Sequence, residues 1–555
     1  MRRIIIKRDW IRRLVALIVV LGTVAIGVGI GLSVRNPRRG AIAAGGVFNP
    51  PFRAPIQLAD EDASRVAARR VADLLDHTHF DEDLELNMIA LAQVQYVLGD
   101  IDSGRLNLEH LRSRLEQTRK SDRRTLRSFW RLGHAQVKLG DWPGARASLE
   151  VAARLNREIG EPLDQIKWWR SIIADQFAAG DRPAVRESLK FAMETYRSQP
   201  ESSFKRYLLA EYAGVRAAAR DLTGAFEAIE MLLADDESMH VYAAEGLGLI
   251  AESIRYQDPN EVIPAMNRVM LLIGKVMNTD YRALPLGKIA VAWAHTGDYA
   301  KALGTVASIG LPRFESSRTF SDQRIEALLM IADTARREDR RDQVKAALAA
   351  AKKIDEEDTQ PPALVTRKEL ALAAARFGDV TTAREISENL PIGHRAAIYR
   401  AISVVTLLEG KFASADNLLE MARQDAIHTL VDPPKSKGRR SLFKMIRPGE
   451  APALAGDQVS AETARIELAL VEEAGRSPER AIGIIATIRD DSLRSEATKE
   501  VAALAAMSGD PAQSLEWIQQ IDESKQMHAA VSGLLEGLLE RRSPRNEMLA
   551  FISVR

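Results

Sequence analysis

A short Gly-Asp turn recurs along this chain at nearly constant spacing, and this repetition constrains the fold more than any other feature. Aligned by the Asp, the turns fall at Asp100, Asp141, Asp181, Asp221, Asp258, Asp298, Asp339 and Asp379. Their successive separations are 41, 40, 40, 37, 40, 41 and 40 residues. A near-constant period of this length is typical of a solenoid, in which each unit packs mainly on its neighbours.

The residues of one turn explain how it joins two helices. Gly297 can adopt the left-handed conformation that ends a helix, and Asp298 can accept backbone N–H bonds at the start of the next. Ala302 is small enough to let two antiparallel helices approach closely. The clearest predicted turns are Gly99 with Asp100, Gly140 with Asp141, Gly180 with Asp181, Gly297 with Asp298, Gly378 with Asp379, and Gly509 with Asp510.

Apolar residues between the turns follow the helical period. Ile325, Leu328, Leu329 and Ala332 show the i, i+3, i+4, i+7 spacing of an amphipathic helix. No comparable stretch alternates as a strand would. The sequence therefore predicts an all-α fold, an α-solenoid of antiparallel helix pairs with a period of about 40 residues.

The repeat resembles the tetratricopeptide repeat family. Trp293, Gly297, Asp298, Tyr299 and Ala302 match the large residue of that family's first helix, its turn, and the small residue of its second helix. The family's repeat is about 34 residues, shorter than the period here. The resemblance extends from about residue 59 to the C-terminus. It implies a concave surface that binds proteins or peptides, without identifying the ligand.

The N-terminal region carries a separate signal. Residues 14–34 form an uncharged, mainly apolar run long enough to cross a bilayer, which predicts a transmembrane helix and contact with lipid. Six Lys or Arg residues lie in the basic segment 1–13, and three follow the run. The positive-inside rule then places the N-terminus in the cytoplasm and the repeats outside it, most simply in the periplasm beyond a bacterial inner membrane. An uncleaved anchor is favoured over a signal peptide cleaved near Ala43.

Two further features concern this anchor. Gly27 and Gly31 form a small-xxx-small pair that can pack two membrane helices together, which would make a homo-oligomer. The alternative is that glycine is simply frequent in membrane helices. Residues 35–58 are rich in Pro and Gly and are expected to form a linker.

The repeat body is interrupted once. Helical repeats are predicted over 59–430 and again over 461–555, separated by a basic, Pro-rich loop at 431–460. Arg439, Arg440 and Phe443 in this loop are candidate partner- or lipid-binding residues. A disordered insertion is the favoured alternative.

A second candidate partner-binding group is a basic stripe within the repeats. Arg119, Arg123, Arg127 and Arg131 are spaced by four residues and would share one helix face, where they could meet an acidic partner. A solvated solenoid face is the favoured alternative.

Composition and motifs restrict the function. Lys and Arg number 77 against 76 Asp and Glu, so no basic excess points to nucleic acid. The chain has no cysteine, and it lacks the common phosphate-loop, zinc-protease and serine-hydrolase motifs. We therefore predict no catalytic, cofactor or metal residues, and a membrane-anchored scaffold that binds partner proteins. The alternatives are an envelope enzyme, or enzyme subunit, with an unrecognised site, and a self-associating structural membrane protein.

Overall fold

A computed structural model describes most of the repeat body. It covers residues 61–76, 82–117, 122–255, 258–277, 279–310, 320–357, 362–408, 411–431, 461–474, 478–508, 511–521 and 523–542. All of them belong to one unit of the fold, Ala54–Arg555.

Every regular element in these ranges is helical, as the sequence predicts. The first twelve α-helices are α1 Glu61–Asp76, α2 Glu82–Val97, α3 Ile101–Gln117, α4 Arg123–Lys138, α5 Trp142–Glu158, α6 Pro162–Ala178, α7 Arg182–Arg197, α8 Ser203–Ala218, α9 Leu222–Leu233, α10 His240–Ile254, α11 Pro259–Ile273 and α12 Ala283–His295. The others are α13 Tyr299–Ala307, α14 Phe320–Arg337, α15 Arg341–Glu357, α16 Leu364–Arg376, α17 Val380–Glu388, α18 Ile392–Leu408, α19 Phe412–Val431, α20 Ala461–Ala474, α21 Pro478–Ile485, α22 Asp491–Ser508, α23 Pro511–Ile518 and α24 Ser524–Arg542. Two short 3₁₀ helices span Glu237–Met239 and Thr279–Arg282.

The turns between paired helices share one backbone geometry. Glycine adopts positive φ at Gly99, Gly140, Gly180, Gly297 and Gly378. The following Asp donates its N–H to a carbonyl five residues earlier, as Asp141 does to Gln136 at 2.9 Å, which closes the helix end. The same Asp then caps the next helix, since the Asp141 carboxylate accepts the N–H of Gly144. Ending and starting two helices within a few residues folds them back as an antiparallel pair.

Two turns keep this geometry without glycine. Arg220 has a φ of 66° and Asp339 a φ of 59°, so each occupies the position that glycine holds elsewhere. Aligning Asp339 with the capping Asp residues is therefore wrong by one position. Arg340 stands there, and its N–H bonds to the Ala335 carbonyl. Asp tolerates the left-handed conformation better than most residues, which explains its use in the glycine position.

The helices form two layers. Successive even-numbered helices pack directly against one another, from α2 through to α24, whereas successive odd-numbered helices touch far less. In a curved stack the more closely spaced layer lies on the concave side. The even-numbered helices are therefore the inner layer and the odd-numbered helices the outer layer.

The stack closes on itself. The last inner helix, α24, packs against the first inner helix, α2, and α1 packs against α2, α23 and α24. Helix α1 thus takes the place of the outer helix that the last pair would otherwise lack. At this seam the Asn87 side-chain amide donates to the His528 carbonyl at 2.9 Å. The sequence predicts an α-solenoid of helix pairs without indicating whether its two ends meet, and in the structure the repeat body is a closed ring.

The ring continues past the predicted loop. Helix α19, which ends at Val431, packs directly against α20, which begins at Ala461. Ion pairs join the two sides, with Arg423 Nε 2.9 Å from Glu472 and Arg400 Nε 3.3 Å from Glu467. The predicted body segments 59–430 and 461–555 therefore contribute to one ring.

Several sequence predictions concern other parts of the chain. The transmembrane helix at 14–34, its flanking segments 1–13 and 35–58, and the loop residues 432–460 lie outside the described residues. Within the ranges that the structure describes, no helix is both long enough and apolar enough to cross a membrane.

Candidate functional site

Charged side chains recur on one face of the inner helices. On each inner helix this face holds the residues that lie three, seven, ten and fourteen positions before the capping residue of the following turn. This spacing aligns side chains on one helix face. We call this face the inner stripe. On α4 it holds Arg127, Arg131, His134 and Lys138, and on α14 it holds Glu326, Met330, Asp333 and Arg337.

Side chains of the inner stripe form ion pairs between several neighbouring inner helices. Arg131 on α4 lies 3.1 Å from Glu82 and 3.9 Å from Glu85, both on α2. Lys167 on α6 lies 3.7 Å from Glu211 on α8. Because the charges compensate one another between neighbouring helices, the stripe first of all holds the inner layer together.

Glu85 is the most perturbed carboxyl at the α2–α4 contact. It is 2% exposed, and burial raises its pKa to about 7, although a hydrogen bond from Ser128 and the charge of Arg131 oppose this shift. Its proton is thus held at pH values where an ordinary glutamate is ionised.

Helices α4 and α6 meet through an aromatic and polar cluster. Asp175 accepts the Trp130 indole N–H at 2.9 Å and lies 2.6 Å from His134 Nδ1. Trp130 also stacks on His134 and meets Trp168 edge-on. The aromatic rings of this cluster contribute packing and hydrogen bonding between repeats.

Further round the ring, His295 lies among cationic groups at the ends of inner helices. Burial lowers its pKa to about 4, and the charges of Arg255 and Arg337 lower it further, against the opposing effect of Asp333. The imidazole is therefore neutral at physiological pH. Asp333 is engaged with Arg337 at 2.6 Å, so this group too is internally compensated.

A shallow pocket of about 420 Å³ lies between α18 and α19. Tyr399, Met421 and Asp425 are among its lining residues. Burial raises the pKa of Asp425, and the charge of Arg395 opposes this. The Arg395 guanidinium donates to the Leu390 carbonyl at 2.6 Å, so it mainly caps the preceding helix.

Three of the most exposed large apolar side chains belong to α9 and to α11 with the segment that follows it. Met231 near the end of α9, Leu271 near the end of α11, and Met277 just beyond α11 are 61%, 60% and 65% exposed. We call these three residues the outer apolar patch. Exposed apolar clusters of this kind mark interaction surfaces more often than isolated apolar residues do.

The predicted basic stripe on α4 points towards neighbouring inner helices. Arg123 lies 2.6 Å from Asp164 on α6, while Arg127 and Arg131 lie 3.7 and 3.1 Å from Glu82 on α2. Arg123, Arg127 and Arg131 lie on one helix, and their acidic counterparts belong to the repeats before and after it. Arg119 lies outside the described residues.

The remaining candidate residues divide into two groups. Gly99, Gly140, Gly180, Gly297 and Gly378, with the Asp that follows each, form inter-helix turns. Gly509, Asp510, Gly27, Gly31, Arg439, Arg440 and Phe443 lie outside the described residues. The outer apolar patch was missed, although Met231 and Leu271 could have been located by counting outward-facing positions from each turn.

Nothing in the described ranges groups three or more His, Asp or Glu side chains in a way that could hold a metal ion. The perturbed carboxyl of Glu85 and the perturbed imidazole of His295 lie in contacts between helices. Both shifts follow from packing within the ring.

Comparisons with known proteins show weak structural similarity. No family model and no curated protein sequence matches the chain. One similar solved structure is Ton1535 from Thermococcus onnurineus NA1, at 12% identity and a TM-score of 0.26, with 60% of this chain and 97% of that one covered. Another is a Rap protein complexed with competence and sporulation factor, at 12% identity and a TM-score of 0.24, with 66% and 99% covered. A third is the APC/C hetero-tetramer Cut9–Hcn1, at 13% identity and a TM-score of 0.20, with 89% and 94% covered. These scores assign no family, and the fold follows from the chain's own helices: an all-α protein of stacked helical hairpins.

Proposed function

We propose that this chain is a protein–protein interaction scaffold whose helical ring presents its outer layer to partner proteins. The observation that carries the proposal is the outer apolar patch, where three large side chains remain exposed although the ring buries most others of their kind. The inner stripe is a weaker candidate, because its charges already pair between neighbouring helices.

Photo-crosslinking tests the scaffold proposal. A photoreactive residue is placed at Met231 or Leu271 in the full chain, and at buried Trp293 as the control, in cells that make the protein. We expect discrete adducts with the same partner proteins from both outer positions and none from the control. Adducts only with the chain itself, or none at all, would contradict the proposal.

We also infer that residues 14–34 anchor the ring to a membrane, with the N-terminus in the cytoplasm and the ring on the other side. The length of the apolar run and the surplus of basic residues before it support this inference. A reporter that is active only outside the cytoplasm, fused after Arg555, should be active. An inactive but stable fusion would reverse the orientation or remove the anchor.

A further inference from the structure

The pocket between α18 and α19 contains two opposite charges that are not paired with each other. Arg395 near the start of α18 and Asp425 near the end of α19 both line it. The two groups are close enough for the charge of Arg395 to oppose the rise that burial causes in the pKa of Asp425. These two described side chains nevertheless form no ion pair. They therefore line the cavity as separate positive and negative groups.

Arg395 is fixed in place by the end of the preceding helix pair. Its Nε donates to the Leu390 carbonyl at 2.6 Å, and its Nη2 donates to the Glu388 carbonyl at 3.0 Å. Nη1 has no acceptor in the part of the chain that the structure describes. A guanidinium held through two of its nitrogens can offer the third to a carboxylate without losing its position.

Two further polar groups at the pocket lack hydrogen bonds. Asp425 Oδ2 is buried and has no hydrogen-bond partner. Tyr399 is only 4% exposed, and its hydroxyl forms no hydrogen bond with any described residue. Buried polar groups are normally hydrogen-bonded, so unpaired groups that line a cavity indicate a place for a ligand with polar atoms.

The other charges beside the pocket compensate one another. Glu420 on α19 accepts a hydrogen bond from Arg423 at 2.9 Å and another from Gln424 at 2.7 Å. Arg423 also lies 2.9 Å from Glu472, and Arg480 lies 3.9 Å from the same carboxylate. Two arginines therefore balance two glutamates, and the unpaired guanidinium and carboxylate of the pocket are left as one cation and one anion.

A small zwitterion matches this arrangement. A free α-amino acid has a carboxylate that can bind Arg395 and an ammonium group that can bind Asp425. The ring of Tyr399 and the side chain of Met421, which is 37% exposed, provide apolar surface for an apolar side chain. The volume of about 420 Å³ lies in the range of small-molecule sites.

We propose that the pocket between α18 and α19 binds a free α-amino acid with an apolar side chain. Arg395 binds its carboxylate, Asp425 binds its ammonium group, and the Tyr399 hydroxyl supplies a further hydrogen bond. This site lies on other helices than the outer apolar patch, so it adds a small-molecule ligand to the proposed scaffold function.

Titration calorimetry on the full chain tests the ligand class. L-leucine and L-methionine are compared with leucinamide, which lacks the carboxylate, and with N-acetyl-leucine, which lacks the ammonium group. We expect the two amino acids to bind and each modified ligand to bind at least about tenfold more weakly, because one charged contact is lost.

Substitutions test the residues. Asp425→Asn keeps the shape of the side chain and removes its charge, so it should weaken leucine binding by at least about tenfold. Tyr399→Phe removes one hydroxyl and should weaken binding by about two- to tenfold. Glu109→Gln is the matched control, since Glu109 is an exposed acid on the outer helix α3, and it should leave the affinity unchanged. Thermal unfolding without ligand verifies that each variant is folded.

Defined results overturn the proposal. No binding of any standard amino acid to the wild type, or equal binding of leucine and its two modified forms, removes the amino-acid site. Leucine binding that persists unchanged in folded Asp425→Asn places the ligand elsewhere on the chain. Binding of a neutral sugar in place of leucine assigns the pocket to a different ligand class. In each of these cases the photo-crosslinked partners would persist if the scaffold proposal is right.

Discussion

Two glycines on α24 determine how closely the last inner helices can approach. A Cβ atom at Gly533 would overlap the Lys499 carbonyl oxygen, and one at Gly537 would overlap the Ala503 carbonyl oxygen, both on α22. The face of α24 that carries these two glycines therefore has no room for even a methyl group against α22. We expect Gly537→Ala to lower the free energy of unfolding by about 1–3 kcal/mol, measured by urea denaturation.

Gly483 provides the matched control for this substitution. It lies within α21, and nothing stands within 4 Å of where its Cβ would be. Gly483→Ala should raise stability by about 0.5–1 kcal/mol, because alanine favours a helix interior. A stabilising Gly537→Ala would show that α22 and α24 are not in close contact.

The buried Glu85 should make stability depend on pH. Its pKa is raised from 4.5 to about 7 in the folded chain, so the unfolded chain ionises first as pH rises. The stability that Glu85 contributes is therefore lost as the pH rises from about 4.5 to about 7. Above that range Glu85 changes the stability little. We expect Glu85→Gln to reduce the loss of stability between pH 5 and pH 8 by about 1–3 kcal/mol, measured by urea denaturation at both values.

The Ser128→Ala variant tests whether ionisation of Glu85, rather than the overall charge of the protein, causes this pH dependence of stability. The Ser128 hydroxyl donates to Glu85 and favours the carboxylate, so its removal should extend the loss of stability to higher pH. Identical pH profiles for the wild type and Glu85→Gln would show that Glu85 is not protonated in the folded chain.

At the scale of single residues, the sequence predicted which residues share a helix better than it predicted their ion-pair partners. The spacing of Arg123, Arg127 and Arg131 correctly places them on one helix, but Glu82 and Asp164, which pair with them, lie on helices before and after it. Charge spacing within a helix cannot specify the register between helices. Burial of Glu85 depends on that register too, so its pKa could not be predicted.

At the scale of one element, α1 is the helix on which closure depends most. Val71 on its packed side is fully buried, and α1 contacts α23 and α24 at the far end of the chain. We expect Val71→Asp to displace α1, because a charge would have to be buried without a partner. Hydrogen exchange should then accelerate in α23 and α24 while α12 and α13 keep their protection.

Val66→Asp on the same helix is the control. Val66 is 42% exposed, so its replacement should leave exchange in α23 and α24 unchanged. Faster exchange throughout the ring in Val71→Asp would indicate global destabilisation, and unchanged exchange in α23 and α24 would show that α1 does not close the ring.

Elements were predicted well wherever their ends carry strong chemical signals. Gly140 and Asp141 end one helix and start the next through backbone requirements that few other residues satisfy. Asp339 was misplaced by one residue because Asp serves both in the capping position and, here, in the left-handed position. A local pattern cannot distinguish these two uses.

At the scale of the whole molecule, closure lay beyond the sequence pattern. The period reports that each helix pair packs on the next, whereas curvature comes from a small rotation at every such contact. These rotations accumulate over the twenty-four described helices, so a small change in each would separate an open stack from a ring. No single residue of α1 or α24 indicates that its helix, at one end of the repeat body, has no further repeat beside it in the sequence.

Cross-linking across the seam tests closure directly, because the chain has no cysteine of its own. Leu86 is exposed on α2 beside Asn87, and Lys525 is exposed on α24 one turn before His528. In a ring a flexible bismaleimide should join Leu86→Cys to Lys525→Cys within one chain, whereas an open stack would separate them by about 100 Å. The intramolecular product should migrate as a compact monomer in denaturing electrophoresis. Pairing Leu86→Cys with Ile263→Cys, on α11, should give no such product, and a seam pair that yields only dimers would mean that closure occurs between two chains.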